Sequence, residues 1–345
     1  MDVGLSAEQR QLVGSFTDLY AGASPPARVR AAEPLGFDAG LWDAVRSAGA
    51  VLMAVGEDAG GWGAEPLDLA LIAEVQGRFL APAPVVEAQA AARLLARLGT
   101  PRAAAVLAAV LAGERTVTMA VRPARDGTAR LVPAGAVADD ALIADGDRLL
   151  LVPARGAPVE NLGSMPLADL PVGADAEVLA AGPDARAAHE AAQDEFLLLT
   201  AAAQVGIAAR ALEIGVEYVT GRRAWNVPIG SFQAVAHPLA DSAAAVDGAR
   251  LLVHEAAWAA AEAPARFAEL AAMAFGFAAE TARDATYRSL HFHGGYGFTD
   301  EYDVQLYYRR ARAWAAACLE PRAAYRRAAD RRYGPAQMEE QWTSA

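Results

Sequence analysis

Two stretches of this chain combine residue types suited to holding a phosphate group. One runs Arg222-Arg223-Ala224-Trp225-Asn226-Val227-Pro228-Ile229-Gly230-Ser231-Phe232-Gln233, and the other is His291-Phe292-His293-Gly294-Gly295-Tyr296-Gly297. A planar guanidinium can grip a pyrophosphate through two parallel charge-assisted bonds, which a flexible ammonium does less well. Glycines allow positive φ and let the backbone approach another body with no Cβ in the way. That body is either a bound phosphate or a packed helix. Taken alone, Arg222 reads as a helix C-cap and Trp225 as core packing.

The flanking elements must be helices. Phe277 to Leu290 is unbroken by Pro or Gly, and Val304, Tyr307, Tyr308 and Ala311 recur at i, i+3, i+4, i+7, the spacing of one helical face. The Gly-Gly-x-Gly run therefore joins two helices. Arg222 sits at the end of an earlier one, just before the Pro228-Ile229-Gly230 turn.

The fold class that follows is α+β, mostly α. Ser6 with Gln9 forms a capping-box signature for a first helix, and further helices are expected over 39–47, 66–79, 86–98 and 102–112. Residues 1–113 thus read as an all-α domain. Short β-prone runs at 116–121, 141–144, 148–152 and 176–179, with an Asp145-Gly146-Asp147 turn, make 114–182 a small β domain. From 183 to 333 the pattern is a four-helix bundle, with helices expected over 185–223, 234–261, 265–290 and 303–332. Gly206 and Gly215 are expected where helices approach closely, and 334–345 reads as a loose polar tail.

Bulk properties exclude several functions. A length of 345 residues with 54% hydrophobic composition implies two or three domains around a large core. The basic residues are all arginine. A net charge of -12 argues against a broad nucleic-acid surface. The single cysteine, Cys318, rules out an internal disulfide framework and a cysteine metal cluster. His291 and His293 have no third ligand at suitable spacing, so no metal is expected. With no secretory signal and no clear membrane span in the sequence, the expected location is cytoplasmic.

Gly294-Gly295-Tyr296-Gly297-Phe298-Thr299-Asp300-Glu301-Tyr302 followed by Arg309 resembles the C-terminal signature of the acyl-CoA dehydrogenase family. The run from Arg222 through Gln233 to His237 and Asp241 resembles a second signature, Arg-x-x-Phe-Gly-x-Pro-Ile-x-x-Phe-Gln-x-x-x-His-x-x-Ala-Asp, with Trp225 in place of Phe. Together the two cover roughly the C-terminal half of the chain. The resemblance implies FAD as cofactor, an acyl-CoA substrate and an electron-transfer acceptor. It also implies that Arg222 reaches the FAD pyrophosphate of a neighbouring subunit, with Trp225 against the adenine or diphosphate region. Gln233 would bond the adenosine part of that FAD, Gly294 and Gly295 would offer it backbone amides, and His291 stands where the family has Gln.

Three departures stand out. In the family, a Thr-Glu-Pro-x-x-Gly-Ser-Asp-like segment and a Lys-x-x-Trp-Ile-like segment line the flavin ring. Here the corresponding stretches are Met119-Ala120-Val121-Arg122-Pro123-Ala124-Arg125-Asp126-Gly127 and Asp147-Arg148-Leu149-Leu150-Leu151-Val152. The family's catalytic Glu in its commonest branch falls on Cys318, and in another branch on Phe196. Glu195 is one residue away but about 100° round the helix, a weak candidate, and Asp194-Glu195 reads as a solvated face. The expectation is a short subunit with no catalytic base of its own. It resembles one half of the α2β2 acyl-CoA dehydrogenases of actinobacteria that act on CoA thioesters of steroid side chains, with a larger catalytic partner subunit. The alternatives are a self-sufficient homo-oligomer using Glu195, and a non-enzymatic scaffold of the same fold.

Overall fold

A computed structural model describes residues 4–334; the tail expected from 334 onward lies, but for Gly334, outside the described residues. The chain starts as a helical layer: α1 (Ala7–Ala23), α2 (Pro26–Ala31), α3 (Ala39–Ser47), α4 (Pro66–Arg78), α5 (Val85–Leu98) and α6 (Pro101–Leu111). The capping box forms as expected. Ser6 Oγ accepts from the Gln9 amide, and Gln9 Oε1 accepts from the Ser6 amide at 3.0 Å.

A small β layer follows, with β1 (Val117–Met119), β3 (Asp140–Asp145), β4 (Arg148–Pro153) and β6 (Glu177–Ala181) in the order β1-β3-β4-β6. The β3–β4 hairpin closes at Asp145↔Arg148 through Gly146 at φ 64°, a conformation that glycine adopts without strain. A separate antiparallel pair, β2 (Thr128–Val132) with β5 (Ala168–Pro171), was not expected. Both strands are short, and their alternation is masked by Ala, Pro and Asp.

The bundle is α7 (Pro183–Gly221), α8 (Gln233–Glu262), α9 (Pro264–Phe292), α10 (Val304–Cys318) and α11 (Pro321–Tyr333). The single fourth helix expected over 303–332 is therefore two. Pro321 lacks an amide proton and disfavours helical geometry in the residue before it. Leu319 (φ -157°, ψ 147°) and Glu320 (φ -70°, ψ 138°) accordingly leave the helix.

By length and hydropathy α7 would cross a membrane, yet 72% of its apolar window is buried inside the fold. It is the central core helix. Its glycines permit the tightest crossings: a Cβ on Gly206 would run into the Glu74 carbonyl of α4, one on Gly77 of α4 into Ala203, and one on Gly215 into Ser289 of α9. Close approach at Gly206 and Gly215 is what the sequence implied.

Candidate functional site

The Arg222 and Gly294 stretches meet at one end of the bundle. The Arg222 amide donates to the Tyr218 carbonyl at 2.8 Å and ends α7. One turn back, the Tyr218 ring stacks on His293 with centroids 4.0 Å apart, and Tyr302 meets His293 edge-on at 5.4 Å. His293 Nδ1 lies 2.7 Å from the Ser289 carbonyl, and burial lowers the imidazole pKa. His293 is thus a structural linchpin between two helix ends. The start of α8 joins them, since Arg288 of α9 donates to the Pro238 carbonyl at 3.0 Å and to Ser242 Oγ at 2.9 Å.

Between α7 and α8 the chain forms a two-residue hairpin in which Arg223–Ala224 (β7) pairs with Val227–Pro228 (β8). Trp225 (φ 48°) and Asn226 (φ 64°) both have positive φ, the signature of a type I′ turn. Asn tolerates that region; a bulky aromatic is an outlier there. Trp225 is 87% exposed and touches Phe232 edge-on at 5.9 Å, which corrects the core-packing alternative.

Every other expected contact at this end faces outward. Arg222, Gln233, His291, Gly294 and Gly295 are all exposed. The Arg222 backbone does cap α7, but its guanidinium has no hydrogen bond or ion pair among the described residues. His291 stacks on Tyr287, with centroids 5.9 Å apart. A Cβ on Gly294 or Gly295 would meet nothing within 4 Å, whereas one on Gly297 would lie 2.6 Å from the Leu290 carbonyl oxygen. The chain's own packing therefore explains Gly297 and leaves the Gly294-Gly295 surface open to an external body. Tyr287, His291, Gly294, Phe298 and Tyr308 line an open cleft of about 230 Å³ there. With Tyr296 and Phe298 more than half exposed as well, this end carries an aromatic patch of the kind that marks an interface. These residues fit one wall of a nucleotide cofactor's site: an unpaired guanidinium, unobstructed glycine amides, a side-chain amide and an aromatic face.

The β layer offers a different picture. The stretch that would line a flavin ring is tied straight to the bundle. Ala120 O accepts from the His189 ring, with Nε2 at 3.1 Å, Val121 O accepts from Gln193 Nε2 at 2.6 Å, and Arg122 donates to the Ala316 carbonyl at 2.9 Å. With two side chains of α7 and a backbone carbonyl of α10 bonded directly to it, this stretch does not fit a flavin ring.

Phe196 and Cys318, the two positions to which the resemblance assigns the family's base, line the same narrow cavity of about 50 Å³. Neither can act as a carboxylate base. Burial pushes the Cys318 thiol up to about 12, so it stays protonated. Glu195 points elsewhere. It is not among the residues of that cavity but lines a small pocket with Leu69 and Phe267. Burial raises its carboxyl, but Arg93 at 2.9 Å and Arg97 at 2.7 Å overcome that and hold its pKa below the usual value. Asp194 is also buried, bonded to Arg327 at 2.6 Å. The expected solvated face is therefore wrong: both acids are pinned by guanidiniums from other helices.

Sequence reasoning missed Glu87, the one carboxylate among the described residues lining the Phe196–Cys318 cavity. Burial raises its pKa to about 7. The available signal was a lone acid in the apolar run Val85-Val86-Glu87-Ala88.

The family model "Acyl-CoA dehydrogenase, N-terminal domain" matches residues 6–114, and "Acyl-CoA dehydrogenase, C-terminal domain" matches residues 195–317. The chain belongs to the acyl-CoA dehydrogenase family. This acyl-CoA dehydrogenase is 32% identical to acyl-CoA dehydrogenase IpdE2 of Mycolicibacterium smegmatis over 329 residues, covering 94% of this chain and 98% of that protein. It is also 32% identical to IpdE2 of Mycobacterium tuberculosis, over 92% of this chain and 94% of that one. Among solved structures it resembles a chain of the ChsE4-ChsE5 complex from Mycobacterium tuberculosis, with a TM-score of 0.86 and 27% identity, covering 97% of this chain and 100% of that chain. A chain of the Tcur3481-Tcur3483 steroid ACAD G363A variant matches with the same TM-score and identity, over 94% of this chain and 97% of that one. Enzymes of the family are FAD-dependent oxidoreductases.

Proposed function

We propose that this acyl-CoA dehydrogenase is the non-catalytic-base subunit of a heteromeric enzyme that introduces an α,β double bond into a bulky acyl-CoA, a steroid side-chain thioester in the reading we favour. The partner is a larger acyl-CoA dehydrogenase subunit in an α2β2 assembly, and it supplies the base and most of the flavin pocket. One observation supports the reading: Arg222, Gln233, Gly294 and Gly295 all face outward, while Phe196 and Cys318 stand at the positions to which the resemblance assigns the base. The heteromeric ChsE4-ChsE5 complex and the steroid enzyme Tcur3481-Tcur3483 are the structural precedents for assembly and substrate.

Bound FAD would supply hydride acceptance at the flavin ring and pass electrons to an external acceptor. This chain's own residues would position it. Arg222 meets the pyrophosphate charge, Gln233 bonds the adenosine portion, and Trp225 gives an aromatic face. Gly294 and Gly295 present amides with no side chain in the way, and His291 adds one donor. The carboxylate that removes the α-proton belongs to the partner.

Glu195 as the base of a self-sufficient homo-oligomer is disfavoured, because a carboxylate clamped by two arginines is a poor proton acceptor and lies outside the central cavity. Co-expression is the direct test. The chain expressed alone should be colourless or inactive, and co-expression with the neighbouring larger subunit should yield a yellow, active complex. Stoichiometric FAD and full turnover in the lone chain would defeat the proposal. A fully occupied complex carrying Arg222→Ala would favour a scaffold role.

A further inference from the structure

Arg222 and the Gly294-Gly295 pair belong to different elements, so one diphosphate can meet both only where the spacing between them is fixed. Three rings fix it. The His293 imidazole is 3% exposed, and it stacks on Tyr218 of α7 with centroids 4.0 Å apart and planes at 24°. Tyr302, on the loop leading into α10, meets His293 edge-on at 5.4 Å and Tyr218 edge-on at 6.0 Å. The rings thus form a closed triangle rather than a chain, and none of them can slide without breaking two contacts. The Nδ1 atom of His293 lies 2.7 Å from the Ser289 carbonyl. A carbonyl only accepts, so Nδ1 carries the proton and the bond sets the rotation of the ring.

Both outward-facing stretches hang directly from this triangle. The Tyr218 carbonyl accepts the Arg222 amide at 2.8 Å, and the Arg222 carbonyl accepts from the Ile229 amide at 2.8 Å, so the Arg222 backbone is held on both sides. His293 ends α9, and Gly294 follows it at φ 62°, turning the chain away from the helix. Gly297 closes the other side of that turn, since a Cβ there would lie 3.3 Å from the His293 Cβ. His293 itself is too deeply buried to touch a body on the outward face. Its influence on such a body must pass through the residues it holds.

We propose that His293 is a positioning residue for the nucleotide cofactor: wedged between Tyr218 and Tyr302, it sets the distance from the Arg222 side chain to the Gly294-Gly295 backbone so that both meet the same diphosphate. This rests on the cofactor role proposed above for the outward face, and adds that the face is one preassembled unit rather than a set of separate contacts. Preassembly matters because groups already in place lose less freedom when the ligand arrives.

The test is a double-mutant cycle on the co-expressed complex, with FAD release on dilution as the readout. His293→Leu should weaken FAD retention about tenfold, through loss of two ring contacts and the loosening that follows. On an Arg222→Ala background the same change should cost less than about threefold, because no guanidinium remains to be positioned. His293→Phe keeps a flat ring between the tyrosines and should stay within about threefold of wild type. If His293→Leu does not fold, Tyr218→Leu breaks the triangle from the α7 side and should give the same pattern. Equal losses in the two backgrounds would mean general damage and would overturn the proposal, as would wild-type retention in His293→Leu or a loss in His293→Phe as large as in His293→Leu. Unchanged retention in Arg222→Ala alone would instead defeat the outward-face reading itself, and this inference with it.

Discussion

The outward-facing end of the bundle and the acids buried within it treat polar groups in opposite ways. At the open end an unpaired guanidinium, two unobstructed glycines and an 87% exposed indole all face outward. In the interior, Asp194 and Glu195 are each held by arginines from other helices. A surface that leaves charge and aromatic area unsatisfied is built for a second body. An interior that pairs its acids with arginines is built for stability, and this difference is the support for proposing the first region as the face that meets a partner.

That contrast can be broken by mutation, with the largest effect expected inside. Glu195→Ala leaves Arg93 and Arg97 facing each other without their counter-charge, and should destabilise the chain by about 3 kcal/mol, the low end for breaking a buried pair. Denaturant unfolding measures this, and turnover per bound FAD in the surviving complex should be unchanged; a selective loss of turnover would restore Glu195 as a catalytic candidate. At the open end, Arg222→Ala should leave the melting temperature alone and weaken FAD retention in the complex by about tenfold or more, since a charge-assisted bond contributes about 1.5–3 kcal/mol. FAD release on dilution reads it.

Gly295→Val sharpens the same distinction. Nothing within 4 Å in this chain opposes the new side chain, so folding should be nearly unaffected while FAD retention falls; the same substitution at Gly297 should instead destabilise the fold, because the Leu290 carbonyl blocks it. Equal effects at the two glycines would erase the difference between open and packed turns.

Smaller effects come from the cavity's titration. Burial raises the Glu87 carboxyl from 4.5 to about 7. Between those values the folded chain holds a proton that the unfolded chain has lost, so stability falls as pH rises through that window. Glu87→Gln should therefore raise the melting temperature near pH 8 and change it little near pH 4. The smallest response is expected from Cys318. With its thiol 1% exposed and pushed up to about 12, it should not react with a thiol reagent near pH 8 until the chain unfolds.

The mostly helical fold was legible because helical periodicity, caps and breakers are local. Ser6 with Gln9 set the first cap, and the glycines of α7 announced close crossings before any neighbour was known. Pro321 was equally local, yet the long charged run around it concealed the break between α10 and α11. The β2–β5 pair was missed because its strands depend on each other more than on any pattern of their own.

The site divides along the same line. Residue order, read through the family resemblance, placed Arg222, Gln233 and the Gly294-Gly295 pair in recognisable spacing and put Phe196 and Cys318 where that resemblance expects a carboxylate. Only the tertiary structure decided which side chains share a space: that Glu195 is clamped by Arg93 and Arg97, that Trp225 points to solvent, and that Glu87, remote in sequence, faces Cys318's cavity. Spacing along a chain fixes which residues can lie on one helix face. Which of them meet across helices, and what burial then does to their charges, depends on packing between elements that no local pattern records.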